Sequence, residues 1–136
     1  MGERGQGVVL ALSTILAIAL IVGGAVVVAR SGGGAIQGTN GPDRLIGTDH
    51  ADTIDGLAGS DTIRGRGGAD VLTGGTGFDL IYGGAGGDRI KARDQHVDQI
   101  DCGPGSDTAI VDRAEDGVFD CERVVVPTSL QKARQR

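Results

Sequence analysis

The chain has 136 residues, with thirteen Lys and Arg against eighteen Asp and Glu, a net charge of −5, 26 glycines, and only Phe78, Tyr82 and Phe119 as aromatics. So acidic a chain, without a platform on which bases could stack, is a poor nucleic-acid binder. No Ser or Cys nucleophile is suggested beside His50 or His96, and the repeats leave no room for a catalytic domain, so no enzyme is expected.

From the N-terminus, Val8 to Ala29 is a run of twenty-two uncharged residues behind Glu3 and Arg4. As a helix it is long enough to span a bilayer, whereas the core of a cleaved signal usually has about 7 to 15 residues. Length favours an uncleaved anchor. The small residues of Val27-Val28-Ala29, and Gly23-Gly24 weakening the helix ahead of them, favour cleavage. Residues 1–30 are therefore expected to be an N-terminal hydrophobic helix acting as signal peptide or membrane anchor. Either role places the remainder in the medium or at the outer face of the cytoplasmic membrane. The SGGG of Ser31 to Gly34 reads as a flexible tether, residues 31–35.

From Gly38 to Lys91 the chain repeats every nine residues without a gap: GTNGPDRLI, GTDHADTID, GLAGSDTIR, GRGGADVLT, GGTGFDLIY and GGAGGDRIK. Gly opens each unit, Asp stands sixth and an aliphatic eighth. A period this short predicts a solenoid, because one unit cannot bury its apolar face except by stacking on neighbours. Each unit reads as one turn plus a strand of two or three residues. With two units per coil, residues eighteen apart lie one above the other at roughly 4.8 Å. Asp43, Asp61 and Asp79 then form one carboxylate ladder, and Asp52, Asp70 and Asp88 a second. The segment ARDQHVDQID carries one extra residue; if a turn absorbs it, Asp98 with Ile100 and Asp107 with Ala109 extend both ladders.

Two carboxylates roughly 5 Å apart repel by about 1 kcal/mol in water and about 3 kcal/mol at an effective dielectric near 20. Over the two ladders this sums to on the order of 5 to 20 kcal/mol before screening, comparable with the whole stability of a small domain. A divalent hard cation removes the penalty. Ca²⁺ accepts six to eight oxygens, carboxylate and carbonyl alike, while Mg²⁺ demands a tight octahedron. Fifteen of the eighteen acidic residues are Asp, short enough to reach an ion held near its own turn. A disordered Gly/Asp linker has no reason to keep an aliphatic in phase. A metal-free solenoid usually fills such ladders with Asn, Thr or aliphatics.

These units resemble the GGxGxDxUx nonapeptide of the RTX, or haemolysin-type, calcium-binding repeat family over roughly residues 36–111. The resemblance implies an all-β parallel β-roll holding several Ca²⁺ ions between units i and i+2. Its metal ligands would be Asp43, Asp52, Asp61, Asp70, Asp79 and Asp88, with Asp98 and Asp107 in the continuation. The firmest pairs are Asp61 with Asp79 and Asp70 with Asp88. The second glycine is kept only at Gly75, Gly84 and Gly103, with Thr39, Thr48, Leu57 and Arg66 elsewhere, so the first two or three turns are expected to bind more weakly.

An exported chain with two cysteines is expected to pair them, and a Cys102 to Cys121 bridge contributes about 3 kcal/mol on the chain-entropy model. Residues 112–127 read as a disulfide-stapled C-terminal cap, with Val118, Phe119 and Val124 to Val126 covering the last coil. Residues 128–136 form a basic tail carrying Lys132, Arg134 and Arg136. The functional expectation is a calcium-dependent structural or interaction module whose partner is a cell-envelope protein or polymer, touching membrane only through its N-terminal segment. The alternative is an accessory ligand-binding or toxin-associated module serving a separate effector or enzyme.

Overall fold

The computed structural model describes residues 26–28, 32–112 and 117–126. Most of the expected N-terminal helix, and the basic tail, lie outside these residues. Among the described residues no helix is long and apolar enough to cross a membrane.

Among the described residues twelve short strands form two parallel six-stranded sheets. One holds β1 (Val26–Val28), β3 (Arg44–Ile46), β5 (Thr62–Gly67), β7 (Leu80–Ala85), β9 (Gln99–Asp101) and β11 (Gly117–Phe119) in that order. The other holds β2 (Ala35–Gln37), β4 (Thr53–Asp55), β6 (Val71–Thr73), β8 (Arg89–Ala92), β10 (Thr108–Val111) and β12 (Arg123–Val125). The chain alternates between sheets, so each coil spends one nonapeptide on each side. This is the expected parallel β-roll. Val26–Val28, the end of the segment expected as helix, is instead a strand, paired with β3 in a register eighteen residues long (Val27 opposite Leu45).

The same eighteen-residue register joins β3 to β5 and β4 to β6 (Leu45 opposite Ile63, Ile54 opposite Leu72). Across the irregular unit it becomes nineteen, placing Ile81 opposite Ile100 and Ile90 opposite Ala109. The extra residue is absorbed in the turn, where Gln95 takes a φ of 72°. The Asp94 carboxylate buttresses that turn by accepting from Gly77 N (2.6 Å) and His96 N (3.0 Å).

The core is thin, most strands giving it one aliphatic residue, while Ala92 in β8 and Val111 in β10 add a second. Leu45, Ile63, Ile81 and Ile100 line one sheet, facing Ile36, Ile54, Leu72, Ile90 and Ala109 on the other, all buried. Fully burying one such aliphatic contributes roughly 1.5–3 kcal/mol, and the stack is a row of such contributions. Cys102 takes the first-glycine place in its unit, is fully buried, and is bonded to Cys121 with a Cα–Cα distance of 5.1 Å.

Two segments differ from expectation. Part of the proposed tether is docked: Gly34 N donates to Asp52 Oδ1 at 2.7 Å, and Gly34 O accepts from Thr53 N at 2.8 Å. The segment expected to lie over the last coil continues both sheets as β11 and β12. Val118 and Val126 pack against the core, and strand alternation sends Phe119 (61% exposed) to the outer face, while Val124 (46%) keeps the inward register of Ala109 but lies on the end strand, with no further strand over it among the described residues.

Candidate metal-binding ladders

All eight Asp at the sixth place are buried, at most 5% exposed. They point between the sheets because each stands two residues ahead of a core aliphatic, and side chains two apart in extended chain share a face. Burying a column of carboxylates demands donors. Each Asp of one coil supplies one to the next: Asp43 N donates to Asp61 Oδ1 (2.8 Å), Asp52 N to Asp70 (2.7 Å), Asp61 N to Asp79 (2.9 Å) and Asp70 N to Asp88 (2.9 Å). Asp79 N reaches Asp98 Oδ1 at 2.9 Å, and Asp88 N reaches Asp107 Oδ1 at 2.6 Å. The expected pairs, Asp61 with Asp79 and Asp70 with Asp88, are thus brought together by backbone-to-carboxylate bonds. These offset part of the repulsion computed for bare charges.

Only one oxygen of each carboxylate is served this way. The second oxygen, Oδ2, of Asp61, Asp70, Asp79, Asp88 and Asp107 is buried without a hydrogen-bond partner. A buried acceptor left unmade is expensive, more so when charged. The carboxyls respond by holding their protons. Burial, opposed by the backbone N–H and reinforced by neighbouring carboxylates, pushes Asp61 up to about 7 and Asp70 to about 6. Asp79 rises to about 6, chiefly through burial, and Asp88 and Asp107 are raised for the same reason.

The turns differ at their second residue. Leu57, Arg66, Gly75, Gly84 and Gly103 have φ between 74° and 105°, a left-handed conformation that costs an ordinary residue about 1–2 kcal/mol. Thr39 and Thr48 are not among the positive-φ residues. There the backbone N–H and hydroxyl turn onto the carboxylate: Thr48 N and Oγ1 donate to Asp52 Oδ2 at 2.6 and 2.9 Å. Thr39 N and Oγ1 do the same to Asp43 Oδ2. Sequence reasoning treated both threonines as lost glycines; the signal was a hydroxyl four residues before the Asp in these two units alone.

It also passed over Glu122, whose Oε2 accepts from Asp107 N at 2.7 Å and forms the last rung of its ladder. The cue was present, since Glu122 stands two residues ahead of Val124 as each Asp stands ahead of its aliphatic. His50 and His96 lie in exposed turns; His96 Nδ1 contacts Asp94 Oδ2 at 2.8 Å.

Several unpartnered carboxylate oxygens, backed by carbonyls, are a hard-oxygen donor set of the kind Ca²⁺ selects. The first glycine of a turn brings the two donor types together: a Cβ on Gly83 would lie 2.5 Å from the Cys102 carbonyl oxygen and 2.6 Å from Asp88 Oδ2. No group of three or more acidic, His or Cys side chains converges among the described residues. Backbone carbonyls must therefore complete any coordination shell.

A family model for the RTX calcium-binding nonapeptide repeat matches the chain in four copies, over residues 30–63, 37–72 and 64–96. The chain belongs to this RTX family. Curated proteins and solved structures gave no match. As an RTX repeat chain it is a calcium-binding structural module.

Proposed function

We propose that this RTX chain folds on calcium outside the cytoplasm and then serves as a rigid structural or interaction module at the cell surface or in the medium. The observation that carries this reading is the row of buried, unpartnered Oδ2 atoms on Asp61, Asp70, Asp79, Asp88 and Asp107. These residues would hold the ions together with turn carbonyls, and Asp98 occupies the corresponding rung of its ladder. Bound calcium would supply the positive charge that balances these buried carboxylates. Residues of the chain do the rest: the Asp N–H of one coil orients the carboxylate of the next, and the aliphatic column keeps water from it. Because the unfolded chain offers no such cluster, binding free energy becomes folding free energy. Extracellular modules bind at roughly 10⁻⁴–10⁻³ M, so the chain would remain expanded at cytoplasmic calcium and order after export.

Isothermal titration of the full chain tests the metal reading. Ca²⁺ should bind with Mg²⁺ inert, and Asp79→Ala should weaken binding at least tenfold. Heat identical for both metals, or unchanged by the substitution, overturns it. For the module's use, retention on isolated cell envelopes in calcium and release by chelator supports attachment. Lysis or another effector activity in a reconstituted mixture would favour the accessory role.

A further inference from the structure

We propose that the first two nonapeptides of the roll close without calcium, with Thr39 and Thr48 supplying to Asp43 and Asp52 the donors that an ion supplies farther along. This rests on the calcium reading above and assigns which rungs that reading applies to. Asp52 is 2% exposed, yet its carboxylate has a donor on each oxygen: Gly34 N at 2.7 Å on Oδ1, with Thr48 N at 2.6 Å and Thr48 Oγ1 at 2.9 Å on Oδ2. Three donors, none of them charged, satisfy a buried carboxylate as a coordination site would. In the unit before it, Thr39 Oγ1 donates to Asp43 Oδ2 at 3.0 Å beside a short bond from Thr39 N. Each threonine is itself held, since Thr48 Oγ1 accepts from His50 N at 3.1 Å and Thr39 Oγ1 from Gly41 N at 3.2 Å.

From the third unit onward the arrangement changes at one residue. Leu57 and Arg66 adopt left-handed φ values of 74° and 84°, as the glycines at 75 and 84 do, and the carboxylates four residues later, Asp61, Asp70, Asp79 and Asp88, each retain a buried Oδ2 without a donor. Leu and Arg accept this conformation at a cost, which is understandable where the turn must leave the carboxylate open to a ligand. Threonine, β-branched and poorly suited to φ > 0, does not follow. The roll thus has a metal-independent start and a metal-dependent body, and the residue at the second place of each unit decides between them.

The test is the number of Ca²⁺ ions bound per chain at saturation, by equilibrium dialysis of the full chain with Ca²⁺ alone. Asp52→Asn should bind as many ions as the parent chain, while Asp70→Asn should lose at least one. Thr48→Gly, which restores the glycine and removes the hydroxyl, should gain one ion. Loss of an ion in Asp52→Asn comparable with Asp70→Asn, or no gain in Thr48→Gly, overturns the assignment and leaves calcium binding itself intact. A parent chain that binds no calcium overturns both.

Discussion

Among the second-place residues, Arg66 and Gly84 stack directly on one another, and chemically opposite side chains share one backbone shape. Arg66 is exposed and pays for its φ of 84° without burial in return, so Arg66→Gly should raise stability by about 0.5–1 kcal/mol after the entropy of glycine is subtracted. Gly84 is the reverse case. Its φ is 101°, and a Cβ there would lie 2.9 Å from the Arg66 Cα and closer still to its carbonyl, so Gly84→Ala should cost about 3 kcal/mol or more. Thermal melts in saturating calcium check both; equal effects of the two substitutions would contradict the stacking account. Positions of Asp and aliphatic residues were legible in the sequence because each recurs in phase. The conformations of Leu57 and Arg66 were not, since only stacking between turns imposes them, and neither residue prefers φ > 0 by itself.

Strands of three to six residues hold together here only through stacking, so their tolerance to change depends on place in the row. Ile81 lies between Ile63 and Ile100 in its sheet, and Ile81→Ala should destabilise by about 2–5 kcal/mol. Ile36 belongs to β2, the first strand of the other sheet among the described residues and partnered there on one side, and the same substitution there should cost less. Denaturant unfolding of both variants in calcium reads the difference. Reducing the Cys102–Cys121 bond should cost about 3 kcal/mol, measured by the same unfolding with and without reductant. Pairing of the cysteines was foreseeable from their number. The eleventh and twelfth strands were harder to see: β10 and β12 pair in a register of fifteen residues, three short of the period, and Glu122 stands where the earlier coils have Asp.

For the whole molecule, the raised carboxyl groups make the metal-free roll sensitive to pH in a definite direction. Their folded values, about 7 for Asp61 and about 6 for Asp70 and Asp79, lie above the 3.8 of an ordinary Asp, so the folded state binds protons more tightly than the unfolded one. The resulting stabilisation is complete below about pH 4 and is lost as pH rises through 6 to 7. Chelated protein should therefore be more ordered at pH 5 than at pH 8. Calcium competes with the same protons, so its half-saturating concentration should rise as pH falls from 7.5 to 5.5, readable by titration at each pH. The most direct measurement of the central claim is far-UV circular dichroism of the full chain at pH 7.5, titrated from chelated protein with Ca²⁺ and separately with Mg²⁺. The account predicts a cooperative gain of β signal with Ca²⁺ alone, abolished in the Asp61→Ala, Asp79→Ala double variant. A spectrum already β-rich in chelator and unmoved by calcium would contradict it.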